Sequence, residues 1–400
     1  MLHLKFQPCL ADPYIWMRPI KKSNVSPCYK YVLLYKYDVL VISDNGEKVL
    51  RDGIGNYFEL KESSIGPPNQ YHVSAWSFSS SRYVTEAVKN IERQLEKNNF
   101  KLPRKAETPL QTSYRPEIDT TPELSPTDAA YYQSLIVMIQ WMFELGIVYI
   151  CLEVSMMSSH LALPREGNLG QLYNIFAHIK KYYNTEMVFD PTVPEINELD
   201  FEQKDWTASE FGHIKVQEDK PFNMPEARGM GFTMRTKVEA DHSGESITMI
   251  SRTGYLVYLN ISLVYWLSKK HISVESSPFG SEFCAMKLCC EYIHGLRYNL
   301  LMMDIPVNGP AYVYGDNQSV LFNTSIPNST LKKKSHIIAY HFTREGATRD
   351  EWITAYVNTN DNKSELPTKQ LPACDNRRGF VRNLLYHIYS LVGLSSCGWV

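Results

Sequence analysis

From residue 231 onward three short alternating segments, "TKVEADHS", "GYLVYLNIS" and "LVYWLSKK", follow one another with turn residues between them, and a long stretch of helical period comes next. That change of period from two to about 3.6 excludes a purely helical bundle and a purely β sandwich alike. Three consecutive strands with short links predict an antiparallel meander. In the helix that follows, Phe279, Phe283, Met286, Cys290 and Ile293 recur at fours and threes and define its apolar face. A strand "AYVYGD" ends at Asp316, a short helix starts at Asn317, a helix covers about 335–346, a last strand is "WITAYVNT", and a helix lies near 376–390. The order βββαβα(α)βα predicts a three-layer α/β domain on a mixed sheet.

Upstream, "KYVLLYKYDVLVIS" (30–43) predicts a β-hairpin whose turn is Lys36-Tyr37-Asp38. Val84, Val88, Ile91 and Leu95 predict an amphipathic helix over 83–97. Five prolines between Pro103 and Pro126 make the next stretch a linker. Ser125-Pro126-Thr127-Asp128 matches a helix start, opening "YYQSLIVMIQWMFEL", with "NLGQLYNIFAHIKKYY" as a second helix to pack on it. Residues 190–230 carry four prolines and predict irregular structure.

The chain has 400 residues, 44% of them apolar and 21% charged, with a formal net charge of −2, enough for several cored domains but without a basic field. Binding to nucleic acid must then come from a local patch. The eight cysteines are scattered and form no CxxC pair of the kind a structural zinc site uses, so reduced thiols and no disulfide-linked partner are expected. No apolar signal segment opens the sequence, and Gln140 and Glu144 interrupt the apolar run 134–153, so an intracellular, cytoplasmic or nuclear chain outside the membrane is expected.

Several ordered blocks, "VEADHSGES…SRTGY", "VESSPFGSEFCAMK", "VYGDNQSV", "IIAYHFTRE" and "ELPTKQLP", resemble the ribonuclease H domain of Ty/copia-type retrotransposons. Upstream, "LADPYIWMRP", "YYQSLIVMIQWMFELG" and "EVSMMSSHLALPREGNLGQLYNIFAHIKKYYNTEMVFD" resemble the same elements' polymerase palm and connection region. The resemblance implies a partial reverse-transcriptase palm and thumb at 1–105, a linker and helical connection region at 106–230, a ribonuclease H-like domain at 231–390 and a tail at 391–400. It also implies cleavage of the RNA strand of an RNA–DNA hybrid with two Mg²⁺ ions, or Mn²⁺, held by Glu239, Glu282, Asp316 and Glu365.

The family has aspartate at the first and fourth of these positions, where this chain has Glu239 and Glu365. The extra methylene displaces a carboxylate by ~1.5 Å, against a tolerance of about 0.5 Å in a catalytic constellation. Asp241 cannot replace the missing aspartate, because two residues of strand are roughly 6.6 Å. Weak or absent cleavage is therefore expected. The polymerase hairpin resembles the family's motif of tyrosine, a variable residue and two aspartates, but reads Tyr35-Lys36-Tyr37-Asp38, so Asp38 alone is left of a metal-binding set and DNA polymerisation is expected to be absent.

Lys332-Lys333-Lys334, with His341 beyond it, is the densest basic run and could grip phosphates. Trp266 reads as core. The resemblance names an RNA–DNA hybrid and the rest of a Pol product as partners. A catalytically inactive nucleic-acid-binding remnant and a translated pseudogene product remain alternative readings.

Overall fold

The computed structural model describes residues 1–22, 25–35, 38–43, 45–57, 76–215, 217–218, 227–331 and 334–387. Its first unit is an antiparallel meander, β1 (Gln7–Pro8), β2 (Ile15–Lys22), β3 (Val25–Tyr35) and β4 (Asp38–Ile42), paired in chain order. The hairpin expected over 30–43 is there, closing with Tyr35 opposite Asp38. Lys36 and Tyr37, which the sequence reading places in an altered polymerase motif, lie outside the described residues, and so do the side chains of Tyr35 and Asp38.

A helical unit follows: β5 (Trp76–Phe78), α1 (Ser81–Lys97), α2 (Pro126–Glu144), α3 (Cys151–Ser158), α4 (Glu166–Lys181) and β6 (Thr185–Phe189). The cap read from sequence holds, since Ser125 Oγ accepts the Asp128 amide at 3.2 Å with proline at the first helical position. Val84, Val88, Ile91 and Leu95 of α1 pack with Leu135, Ile136, Ile139 and Ile175 into one core. The proline-rich stretch is irregular but is no loose linker. Asn174 Nδ2 donates to the carbonyls of Thr108 and Pro109 at 2.9 and 2.8 Å, and His178 Nδ1 lies 2.9 Å from that of Ala106. These bonds satisfy backbone groups that would otherwise be buried unpaired.

The third unit is a five-stranded sheet in the order β9 (Ser262–Lys270), β8 (Arg252–Leu259), β7 (Met234–Asp241), β10 (Ala311–Gly315), β11 (Trp352–Tyr356). The meander β7–β8–β9 is antiparallel, and β10 is parallel to both β7 and β11. Between β9 and β10 runs α5 (Pro278–Met302), and between β10 and β11 run α6 (Gln318–Ser325) and α7 (Ile337–Thr348). Strand alternation sends Met234, Val238, Tyr255, Val257 and Val313 to one face, where Phe283, Met286, Cys290 and Ile293 of α5 cover them. On the opposite face Leu256 and Leu263, with Tyr258 and Trp266 beside them, join the core of the helical unit. The mixed sheet is thus covered on both sides, its third layer supplied by the helical unit.

The C-terminal segment departs from the expected grouping. Leu384 and Leu385, at the end of α8 (Asp375–Leu384), are buried in the helical unit's core, and β12 (Tyr386–His387) pairs with β6. A buried ion pair between Arg377 and Glu153 at 3.3 Å anchors α8 there. Among the described residues no helix is long and apolar enough to cross a membrane.

Candidate active site

Glu239 faces away from the α5 layer on β7, two residues before the strand ends, directly opposite Gly254 of β8. The absence of a side chain at Gly254 is used: a Cβ there would meet Thr368 Cγ2 at 2.6 Å and Pro367 Cγ at 2.8 Å. The turn 363–369 therefore lies flat on the strand and delivers Glu365 and Lys369 to Glu239.

Lys369 Nζ stands 2.9 Å from Glu239 Oε1 and 3.0 Å from Glu365 Oε1. An ammonium thus bridges two of the four carboxylates singled out by sequence. The other oxygen of Glu239 accepts from Asn362 Nδ2 at 3.3 Å, and that amide also donates to the Val238 carbonyl at 3.0 Å. Asn362 is fully buried, and its own oxygen accepts from Ser364 Oγ at 2.6 Å, so its orientation is fixed.

Asp316, one residue past the end of β10, lies within hydrogen-bonding reach of both Glu239 and Glu282. Thr359 Oγ1 donates to Asp316 Oδ2 at 2.7 Å, while Asp316 Oδ1 is buried with no donor. Glu282, from the second turn of α5, takes a 3.2 Å bond from Asn317 Nδ2. Asn317 is itself tied down, because its Oδ1 caps α6 through the amides of Ser319 and Val320.

Burial, followed by contact with Asp316, pushes the Glu239 carboxyl up to about 9 against the opposing pull of Lys369. Burial raises Glu282 to about 7, with Asn317 opposing and Asp316 reinforcing. Burial and the neighbouring Asp316 both favour the proton-bound form of Glu239. Asp241 stays apart. Burial lifts it to about 6 while its Oδ1 accepts the Arg252 amide, and it borders a cleft of about 270 Å³ shared with Arg115, Glu117, Lys270 and Lys369.

A two-ion centre does not fit this arrangement. Glu239, Glu282 and Asn317 line a recess of about 10 Å³, room for a single water-sized particle at ~10–15 Å³ each. Glu239, Glu282 and Asp316 do not form a set with ligand atoms all within 4.8 Å of one another, and Glu365 is engaged by Lys369.

Lys332 and Lys333 are outside the described residues, and Lys334 is exposed at the start of the turn Lys334–His336. His341 sits on α7 with its Nδ1 4.0 Å from Glu210 and its ring against Phe211, and joins none of the four carboxylates. Trp266 packs edge-on against Phe143 at 5.9 Å, as core. Lys369, Asn362 and Thr359 carry no role in the sequence reading, and Asn317 enters it only as a helix start. The first had a signal, its i,i+4 spacing from Glu365; the others are fixed by contacts across the fold.

No protein-family model matches the chain. Over 144 residues, 36% of its length, it is 24% identical to the Retrovirus-related Pol polyprotein from transposon RE2 of Arabidopsis thaliana, and over an equal stretch 25% identical to that from transposon RE1. The match spans 10% of the length of each of these relatives. Among solved structures, RNase H1 of the halophilic archaeon Halobacterium salinarum is similar at 13% identity and a TM-score of 0.27, covering 33% of this chain and 90% of that one. LC11-RNase H1 in complex with an RNA/DNA hybrid is similar at 8% identity and a TM-score of 0.28, covering 34% and 94%. The chain is thus similar in sequence, over 36% of its length, to two retrotransposon Pol polyproteins, and its mixed sheet bears an acidic edge.

Proposed function

We propose that the chain binds RNA–DNA hybrid duplex through its ribonuclease H-like domain and cleaves the RNA strand slowly at best, as a Pol product in which the nuclease site is held closed by an internal cation. The observation that carries this reading is the Lys369 ammonium between Glu239 and Glu365. A divalent ion gains these carboxylates only by displacing the ammonium. Mg²⁺, which requires near-octahedral geometry, is the poorer competitor, and Mn²⁺ the better one. The β1–β4 meander and α1 are the counterpart of a palm and thumb and do not polymerise, because Tyr37 stands where the family's hairpin has a carboxylate.

Duplex recognition is by backbone shape and phosphate contacts, with Lys332 to Lys334 as the basic contribution. Fluorescence anisotropy with a labelled hybrid tests it. Binding that weakens with salt, and weakens further when the three lysines become alanine, is expected; no binding at low salt, or binding indifferent to the triple substitution, would remove the hybrid or the patch from the reading.

A further inference from the structure

Away from the acidic edge, three side chains from separate segments meet beside the first turns of α5. Glu275 comes from the loop ahead of that helix, Cys284 from its second turn, and His336 from the turn that leads into α7. His336 Nε2 is 3.2 Å from Glu275 Oε2, Cys284 Sγ is 3.6 Å from Glu275 Oε1, and one ligand atom from each lies within 4.8 Å of the other two. Among the described residues no other set of three histidine, cysteine or acidic side chains converges this way. We propose that Glu275, Cys284 and His336 form a binding site for one zinc ion.

The two short spacings, each to a different oxygen of Glu275, are near the edge lengths of a tetrahedral site. Bond lengths of about 2.0–2.1 Å to nitrogen or oxygen and about 2.3 Å to sulfur give tetrahedral edges of roughly 3.3 Å between nitrogen and oxygen and roughly 3.5 Å between sulfur and oxygen. One sulfur, one imidazole and one carboxylate are a borderline-soft set that favours zinc over the oxygen-seeking Mg²⁺ and Ca²⁺, with a fourth position left for water. Ligation requires the Cys284 thiol to give up its proton to solvent.

Two further features point to a built site. Gly280 lies against it, where a Cβ would come within 2.6 Å of Glu275 Oε2 and 3.2 Å of His336 Nε2, so a side chain there would occupy the space in which the ligands meet. The His336 ring is buried and walled by the edges of Phe279 and Phe283, at 6.2 and 6.0 Å, which holds its Nε2 toward Glu275. Glu275 and Cys284 are nine residues apart and His336 comes from a separate segment, so no CxxC pair announces the site. A zinc ion here would staple the segment that follows Lys332-Lys333-Lys334 to the helix that carries Glu282. The proposal does not rest on the nuclease reading.

The test uses the full chain, stripped of metal with a chelator and titrated with Co²⁺ as a spectroscopic probe, then with Zn²⁺ in competition. One equivalent of Co²⁺ giving a thiolate-to-metal charge-transfer band, displaced by Zn²⁺, is expected. Loss of an outer-sphere partner alone costs ~10–100-fold in metal affinity, so Cys284→Ser should lose the band and weaken Zn²⁺ by at least tenfold. Glu275→Gln should weaken Zn²⁺ without removing the band, and Cys374→Ser should change neither. Absence of a thiolate band in the wild-type chain, or Zn²⁺ affinity unchanged in both folded Cys284→Ser and Glu275→Gln, would overturn the proposal in favour of a hydrogen-bonded triad.

Discussion

The Lys369 ammonium lies 2.9 Å from Glu239 and 3.0 Å from Glu365, so one side chain fills the space between two of the acidic side chains singled out by sequence. Removing it has opposite effects on stability and on metal. Lys369→Met removes the donor that Glu239 and Glu365 share, and the apo protein should lose about 1–3 kcal/mol, the cost of leaving a buried acceptor without its partner. The same variant should bind Mn²⁺ more tightly, as isothermal titration would record. Equal Mn²⁺ affinity in the two proteins would mean that the ammonium does not guard the site.

Stability should also fall as pH rises. Glu239 is raised from an ordinary 4.5 to about 9 in the folded chain, chiefly by burial. Below about 4.5 both states hold the proton; between there and about 9 the unfolded chain releases it while the folded chain retains it, so stability is lost across that window. Glu282, raised to about 7, adds to the slope in its lower part. Glu239→Gln should flatten the dependence, so denaturant unfolding at pH 5, 7 and 8.5 should show the variant gaining on the wild type as pH rises. A parallel pair of curves would rule out a proton held at Glu239.

Gly254 is where the strand accepts the turn that carries Glu365 and Lys369. Adding one methyl in Gly254→Ala meets Thr368 and Pro367 at under 3 Å, and overpacking of this kind costs roughly 1–3 kcal/mol. The turn should lift from Glu239, releasing its ammonium contact. A variant as stable as the wild type, with its Mn²⁺ affinity unchanged, would show that the turn is not seated by this contact.

Much of the fold was legible because periodicity carried it. The strands β7 to β11, the apolar face of α5, and Ser125 and Asn317 as helix starts all follow from local pattern. The packing of 103–124 was not, since its partners are backbone carbonyls accepting from Asn174 and near His178, and such contacts leave no apolar period. The grouping of α8 with the helical unit depends on Leu384, Leu385 and the Arg377–Glu153 pair, which is fixed by contacts about 220 residues apart along the chain. At the acidic edge, the family resemblance supplied Glu239, Glu282, Asp316 and Glu365. It did not supply Asn362, buried where only the folded turn places it, nor the reach of Lys369 across to a neighbouring strand.

Cleavage of an end-labelled RNA–DNA hybrid by the purified chain, in Mg²⁺ and in Mn²⁺, tests the central claim most directly. Little or no cleavage in Mg²⁺ is expected, with more in Mn²⁺ that disappears in Asp316→Asn, and with recovery in Mg²⁺ when Glu239→Asp and Glu365→Asp are combined. Full-rate cleavage by the unmodified chain in Mg²⁺ would contradict a site held closed by Lys369 and lengthened carboxylates.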